Sequence, residues 1–533
     1  MDEISIDVIS DNKNNTKRVN SISQKNGKLE DLEEADFETA ISATGFGKFN
    51  IILILVILPT VFAQVFESTS MSFVLPIAQC DLNLRLQDKG ILNAITFAGM
   101  ISSGFAWGYI CDVAGRKKVM IIGYFLDGFF ALMASSSQNF VMLLIAKFFG
   151  GFIINGPFSA ATSYVSEFHC SKYRTRVHLV RGTIVSLGNI AVPLISWAVL
   201  PQNLNFKLFD YFEFQSWNVF LLILSLSPIT SGIAFLFMPE SPKFLMSTGR
   251  NAEALRVFQK IYRINKGKSA DTYPIKVLAN EMVLDRNDKN SVEQKGKKAI
   301  IEGLYKIKPL FCPPLLFKLL LVCMNSFIIL MSTNTLKLWL PQLFQAINDY
   351  EFDHNGASSS MCEMLDSGLK LTNSTSSTCA VNLDNSSVYI RSIIVGFTSI
   401  LCFSLTGTII NALGKKKLII AMTLIAGTSA SCLYLSPNSE TVLALSTIFL
   451  ALAGVCANVL VTITLEIFPT NLRAMALSLH FMFARTGSIV GNVVFPYLLQ
   501  TGCAPPFFYI GFLTFGCTLL TMVYPNTENK PLK

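Results

Sequence analysis

Twelve stretches of roughly 20 apolar residues recur along the chain, each long enough as a helix to cross a ~30 Å hydrocarbon layer. No other feature constrains the fold as tightly. In such a layer only helices or closed barrels satisfy their own backbone. The stretches are too continuously apolar for barrel strands, which alternate over about 10 residues. The spans fall at about 49–75, 89–111, 118–137, 140–164, 178–200, 217–238, 316–346, 389–411, 417–436, 441–465, 475–499 and 506–524. The fold class is therefore an all-α membrane protein, embedded in a lipid bilayer. Composition agrees: the 533 residues are 51% hydrophobic and 15% charged, against about 25% charged in a soluble domain.

The charges orient the spans. Arg116, Lys117 and Lys118 lie between spans two and three, Lys172, Arg174 and Arg176 between four and five, and Lys415, Lys416 and Lys417 between eight and nine. The alternate loops are neutral or acidic, as in Asp349, Glu351 and Glu363. By the positive-inside rule both termini are expected to be cytoplasmic. The net charge of +8 belongs to this pattern and implies no nucleic-acid partner.

The expected divisions are a polar cytoplasmic tail (1–48), a first six-helix bundle (49–238), a central cytoplasmic segment (239–315), a second bundle (316–524) and a short tail (525–533). In the central segment Leu255, Phe258, Ile261 and Tyr262 share a helical face. That face fits either against the cytoplasmic ends of the bundle or on lipid headgroups. The outer loop 347–388 carries two glycosylation sequons, at Asn373 and Asn385. It also holds Cys362 and Cys379, expected to bridge in an oxidising compartment. Cys80 and Cys503 lie near the same face, so other pairings are open. No CxxC or His-rich cluster points to a metal, and no cofactor motif is present.

A repeat ties the two halves together. Asp112, Gly115, Glu167 and Arg174 recur as Asn411, Gly414, Glu466 and Arg473, each pair 299 residues apart. Six helices repeated twice suggest a transporter whose site lies between the halves.

The stretch Gly108-Tyr109-Ile110-Cys111-Asp112-Val113-Ala114-Gly115-Arg116-Lys117-Lys118 resembles the loop 2–3 signature of the major facilitator superfamily. Pro239-Glu240-Ser241-Pro242-Lys243-Phe244-Leu245 is similar to the signature of its sugar-porter and organic-ion-transporter branch. Gly45-Phe46-Gly47-Lys48-Phe49, Leu338-Trp339-Leu340-Pro341, Ala484-Arg485-Thr486-Gly487 and Gly491-Asn492 resemble the synaptic vesicle glycoprotein 2 and related-protein family. Loop 347–388 is too short for the large luminal domain of those vesicle glycoproteins. The resemblance implies two pseudo-symmetric six-helix bundles. It also implies a cytoplasmic gate network of Asp112, Arg116, Glu167, Arg174 and Glu240 in the first half, with Glu466 and Arg473 in the second. Asn411 and Asn526 stand where the pattern has acids, so the second half should close more weakly.

Polar groups within spans are functional candidates because the bilayer penalises them. Glu67, with Gln64 one turn before it, and Arg485 are the charged or polar candidates for substrate binding or coupling, and Glu67 and Arg485 are expected to face one cavity. Lys337 fits either a pore-facing or a snorkelling role. Asn155, Asn189, Asn334, Asn492 and Trp339 could contact a solute, or could pack between helices. The expected function is secondary active transport, or facilitation, of a small organic solute (an organic ion or a sugar-like molecule), by a monomer and with a proton or other ion as possible coupling partner. The alternative is a non-transporting vesicle-membrane protein with a binding role. No phosphate-binding GxxxxGK[ST] loop is present, and no nucleophile–base constellation suggests an enzyme.

Overall fold

The structure is a computed structural model that describes residues 34–202, 204–208, 212–279, 308–355, 357–366 and 386–524. Twelve long helices form the body. The first six are α2 (Lys48–Ala78), α3 (Leu86–Ala114), α4 (Arg116–Ser135), α5 (Phe140–Glu167), α6 (Ser171–Val199) and α7 (Ser216–Leu236). The second six are α10 (Leu315–Asp353), α11 (Ser386–Leu413), α12 (Lys415–Cys432), α13 (Ser439–Ile467), α14 (Thr470–Thr501) and α15 (Ala504–Met522). Ten of the twelve are long and apolar enough to cross a membrane. The two outside that set, α3 and α14, pack on each other between the bundles. Two buried apolar cores form, one centred on each set of six helices, with Leu338 and Tyr389 of the second set joining the first core.

The sequence repeat returns as repeated local structure. Gly115 and Gly414 both take positive φ, +92° and +78°, and each breaks the chain between two helices. A residue with a Cβ is strained in that region, so glycine is required there. One residue on, Arg116 pairs with Glu167 at 3.4 Å, and Lys415 pairs with Glu466. Next, Lys117 Nζ donates to the carbonyl of Leu236, and Lys416 Nζ to those of Met522 and Tyr524. Both lysines thus satisfy carbonyls at the C-terminal end of a bundle's last helix, where a cation is favoured. Asn139 and Asn438, again 299 apart, accept from the amides of Met142 and Thr441 at 2.9 Å and cap α5 and α13.

Small residues set the spacing within each bundle. A Cβ at Gly151 would collide with the carbonyl of Thr96, drawing α5 onto α3. A Cβ at Gly487 would collide with the carbonyl of Phe327, drawing α14 onto α10. Close backbone approach of this kind is how helices associate where no hydrophobic effect separates them from lipid.

The described end of the polar arm before the first span, from residue 34, folds onto the central segment. Asp36 caps α1 (Phe37–Thr44), and Ala35 pairs with Leu278. α8 (Pro242–Ser247) and α9 (Asn251–Lys266) follow the first bundle. α9 buries Ala254, Phe258, Ile261 and Tyr262, with Phe258 6.2 Å from Phe37 of α1. Its apolar face is therefore covered by protein, and Leu255 sits only at the margin. Glu38 of α1 accepts from the Ser171 amide at 2.5 Å and from Arg174 at 3.0 Å, clamping the start of α6.

A hairpin absent from the sequence reading joins α6 to α7: β1 (Asn205–Leu208) pairs antiparallel with β2 (Phe212–Gln215), and Phe206 stacks on Phe214. In the outer loop Cys362 is bonded to Cys503, with Cα atoms 5.3 Å apart. This corrects the expected Cys362–Cys379 bridge. Met361, Met364 and Leu365 bury against the second bundle, which carries Cys362 to the start of α15 rather than toward its own loop. Cys80 is also disulfide-bonded. Cys379, Asn373, Asn385 and Asn526 lie outside the described residues.

Candidate functional site

Two adjoining lobes form a cavity on the seam between the bundles. The larger, about 900 Å³, lies among α2, α6, α10, α11 and α13. The smaller, about 300 Å³, lies among α2, α3, α10, α13 and α14. They share Thr69, Leu330, Asn334, Lys337, Ala457 and Asn458. Volumes of this order suit small-molecule sites, and a position between helical bundles is a common one.

The hydrogen bonds between described residues that cross the seam all lie at one end. Gln87 donates to Gln500 at 3.0 Å, Lys89 to Gln342 at 3.1 Å, Trp197 to Ser386 at 3.0 Å and Lys337 to Asn189 at 2.8 Å. Phe73 and Tyr389 stack at the same end, their centroids 6.5 Å apart. Gly90 lies under the Asn492 carbonyl, where a Cβ would come within 2.6 Å. Toward the opposite end, which carries Lys117, Lys172 and Lys415, the larger lobe reaches His178 and Arg181 near the start of α6, and no hydrogen bond between described residues crosses the seam there. The cavity is closed at the first end and opens toward the basic one.

The sequence candidates divide. Gln64, Asn189, Asn334 and Arg485 line the cavity. Asn334 donates to Ser488 Oγ at 2.7 Å, and Asn189 accepts from Lys337. Glu67 does not line either lobe and does not meet Arg485. It pairs with Lys147 of α5 at 2.9 Å, inside the first bundle, with both side chains buried. Lys147 Nζ also reaches the Glu67 carbonyl at 3.3 Å and Ser70 Oγ at 3.2 Å, and Asp127 borders the same small void. Gly150 leaves the space that the Glu67 carboxylate fills. Successive helical residues turn by about 100°, so Gln64 and Glu67 differ by about 60° in direction. That difference is enough to put one on the cavity and the other between helices.

Three further candidates pack between helices rather than facing the cavity. Asn155 donates to the Met100 carbonyl at 3.2 Å. Asn492 donates to the Ser488 carbonyl at 2.8 Å and is fully buried. Trp339 packs against Phe495 in the second core, ring centroids 5.0 Å apart and the planes tilted by 33°. Lining groups not singled out from the sequence include Arg181, His178 and His480. Arg181 donates to Thr162 Oγ1 at 2.6 Å and lies over the Phe158 ring at 4.9 Å. Its place at the start of the fifth apolar stretch hid it among loop charges.

The charged residues at the basic end bind within a bundle. Arg116 pairs with Glu167, which also accepts from Ser241 Oγ. Glu240 accepts from the amides of Lys117 and Ser241 at 3.0 and 2.9 Å, placing an anion at the N-terminus of α4. Arg174 turns to Glu38 and to the carbonyls of Ser166 and His169 instead of to Glu167. Glu466 pairs with Lys415, while Arg473 Nε is buried without a partner. The Asp112 and Asn411 side chains lie outside the described ones.

Comparisons with known proteins agree with this architecture. Residues 57–377 and 360–533 match the sequence profile of the Major Facilitator Superfamily. Mouse synaptic vesicle glycoprotein 2C is 30% identical over 244 residues, 46% of this chain and 33% of that protein. Rat synaptic vesicle glycoprotein 2B is 27% identical over 341 residues, 61% of this chain and 50% of that protein. The matched regions thus span a third to a half of these relatives. Among solved structures, the inward-open xylose transporter of E. coli superposes with a TM-score of 0.64 at 15% identity, over 91% of this chain and 98% of that one. A D-xylose–proton symporter superposes with a TM-score of 0.62 at 14% identity, over 91% and 99%. The chain is a multi-pass integral membrane protein and belongs to the Major Facilitator Superfamily.

Proposed function

We propose that the chain moves a small organic solute across a membrane by alternating access, binding it in the cavity between the bundles. The observation that carries this is the one-sided seam: hydrogen bonds close the cavity at one end, and it opens at the other. The bonds across the seam are few and polar, so rocking one bundle against the other exchanges a small set of contacts. Arg116–Glu167 and Lys415–Glu466 bind helix ends inside each bundle and keep it rigid through such a motion. Glu67 and Lys147 are then an internal pair of the moving bundle, fit for a coupling role but not for direct contact with the solute.

The basic loops support a reading in which the open end, both termini and the central segment are cytoplasmic. Asn373 then faces the exoplasmic side as a glycan acceptor. Purified protein in liposomes, loaded with one candidate solute and given the labelled solute outside, tests the reading. Saturable exchange is expected. Binding without exchange for every ligand found would favour a non-transporting role.

A further inference from the structure

We infer that the solute is an organic anion, held by Arg485 and Lys337 in the smaller lobe of the cavity. The inference deepens the transport reading and rests on it for the word solute, though not for the site. Both basic side chains line the smaller lobe, Lys337 also borders the larger one, and Arg181 adds a third cation there. Among the described residues no Asp or Glu lines either lobe. Two acids of the first bundle are already committed, Glu67 to Lys147 and Glu167 to Arg116 and Ser241.

The three cations differ in what they meet. Arg181 has Thr162 and the face of Phe158. Lys337 has one neutral acceptor, Asn189 Oδ1, leaving two of its three N–H donors to the cavity. Arg485 is different: among the described residues its guanidinium meets neither a carboxylate nor a hydrogen-bond acceptor. A guanidinium within a membrane span is disfavoured unless water or a counter-charge offsets it, and the part-buried one of Arg485 faces the cavity with no protein counter-charge among the described residues. A ligand carboxylate, phosphate or sulfonate supplies that charge, and the planar five-donor fork binds such groups in a bidentate manner. Phe97, Met100, Leu330, Leu338 and Phe481 line the same lobe. The ligand class is accordingly a small acid with an apolar or aromatic body, its charged group toward Arg485 and Lys337. A cationic solute would face three like charges with no acid among the described lining residues to receive it.

The test is a binding screen on the full-length purified protein. Small organic acids are each paired with their neutral amide and an amine of the same skeleton, such as benzoate, benzamide and benzylamine. Binding is read by thermal shift and calorimetry. Acids are expected to bind and their amides and amines not to. Arg485→Gln should weaken acid binding by at least about tenfold, and Arg485→Lys should recover part of it. Size-exclusion profiles matching wild type show that the variants fold. If only amides or amines bind, if no acid binds, or if Arg485→Gln binds acids as wild type does, the inference fails. Exchange of a neutral or cationic solute in liposomes, unaffected by Arg485→Gln, would leave transport standing and overturn the anion site. Arg485-dependent acid binding without exchange would do the reverse.

Discussion

Lys337 of α10 donates to Asn189 Oδ1 of α6 at 2.8 Å, a hydrogen bond that crosses from the second bundle to the first. It is also the seam contact whose residues both line the cavity. A solute that draws Lys337 away therefore loosens the seam as it binds. Binding and opening become linked through one ammonium group.

Asn189→Leu removes the acceptor and should shift the protein toward the outward-open form. Hydrogen bonds to charged groups contribute roughly 1.5–3 kcal/mol, so the shift should be about tenfold or more. A cysteine at Ser392 reports it. Its labelling by a bulky, impermeant maleimide from the exoplasmic side should accelerate in the Asn189→Leu background.

Lys147→Met leaves Glu67 buried without its cation. Breaking a buried pair on one side destabilises by about 3–5 kcal/mol. The thermal midpoint of the detergent-purified protein should fall, and Glu67→Gln combined with Lys147→Met should recover most of the loss. A double variant no more stable than the single one would show that the pair is not a unit.

Glu38 holds α1 on the start of α6. Burial alone would raise its pKa, but hydrogen bonds from Ser171 and then Arg174 hold it below the usual carboxylate value. A depressed carboxylate stabilises above its unfolded pKa and loses that contribution as pH falls through the folded one. Docking of α1 should thus be intact at neutral pH and weaken below about pH 4. Protection factors for the amides of residues 37–44, which correct for the slower intrinsic exchange in acid, should fall as pH drops, and in Glu38→Gln they should be low already at neutral pH.

Peptide mapping under non-reducing conditions should join the Cys362 peptide to that of Cys503. Cys503→Ser should expose one new thiol, at Cys362.

The parts of this fold legible in the sequence are those that repeat or that the bilayer forbids elsewhere. Span positions follow from apolar length, and the paired helix ends follow from the 299-residue offset of Gly115 and Gly414 and of Glu167 and Glu466. Arg485 was legible as a cavity group because a mid-span arginine has few other places to go. Rotation about each helix was not legible. Glu67 was read toward Arg485, yet it turns to Lys147, because a difference of about 60° separates a cavity wall from a helix interface. Disulfide pairing failed for a related reason. The short helical turn at Met361–Leu365 docks on the second bundle, and that tertiary contact, not loop length, selects Cys503 for Cys362.

The most direct test of alternating access compares the two ends of one helix pair, α3 and α14. Spin labels at Gln87 and Gln500 report the closed end, where the side chains are 3.0 Å apart. Labels at Val113 and Met475 report the open end. Pulsed dipolar distances, measured in nanodiscs with and without the organic acids that bind, should change in opposite directions: the outer pair lengthens in the same population in which the inner pair shortens. Distances at both ends that stay fixed under every ligand, in protein that binds those ligands, would contradict the account.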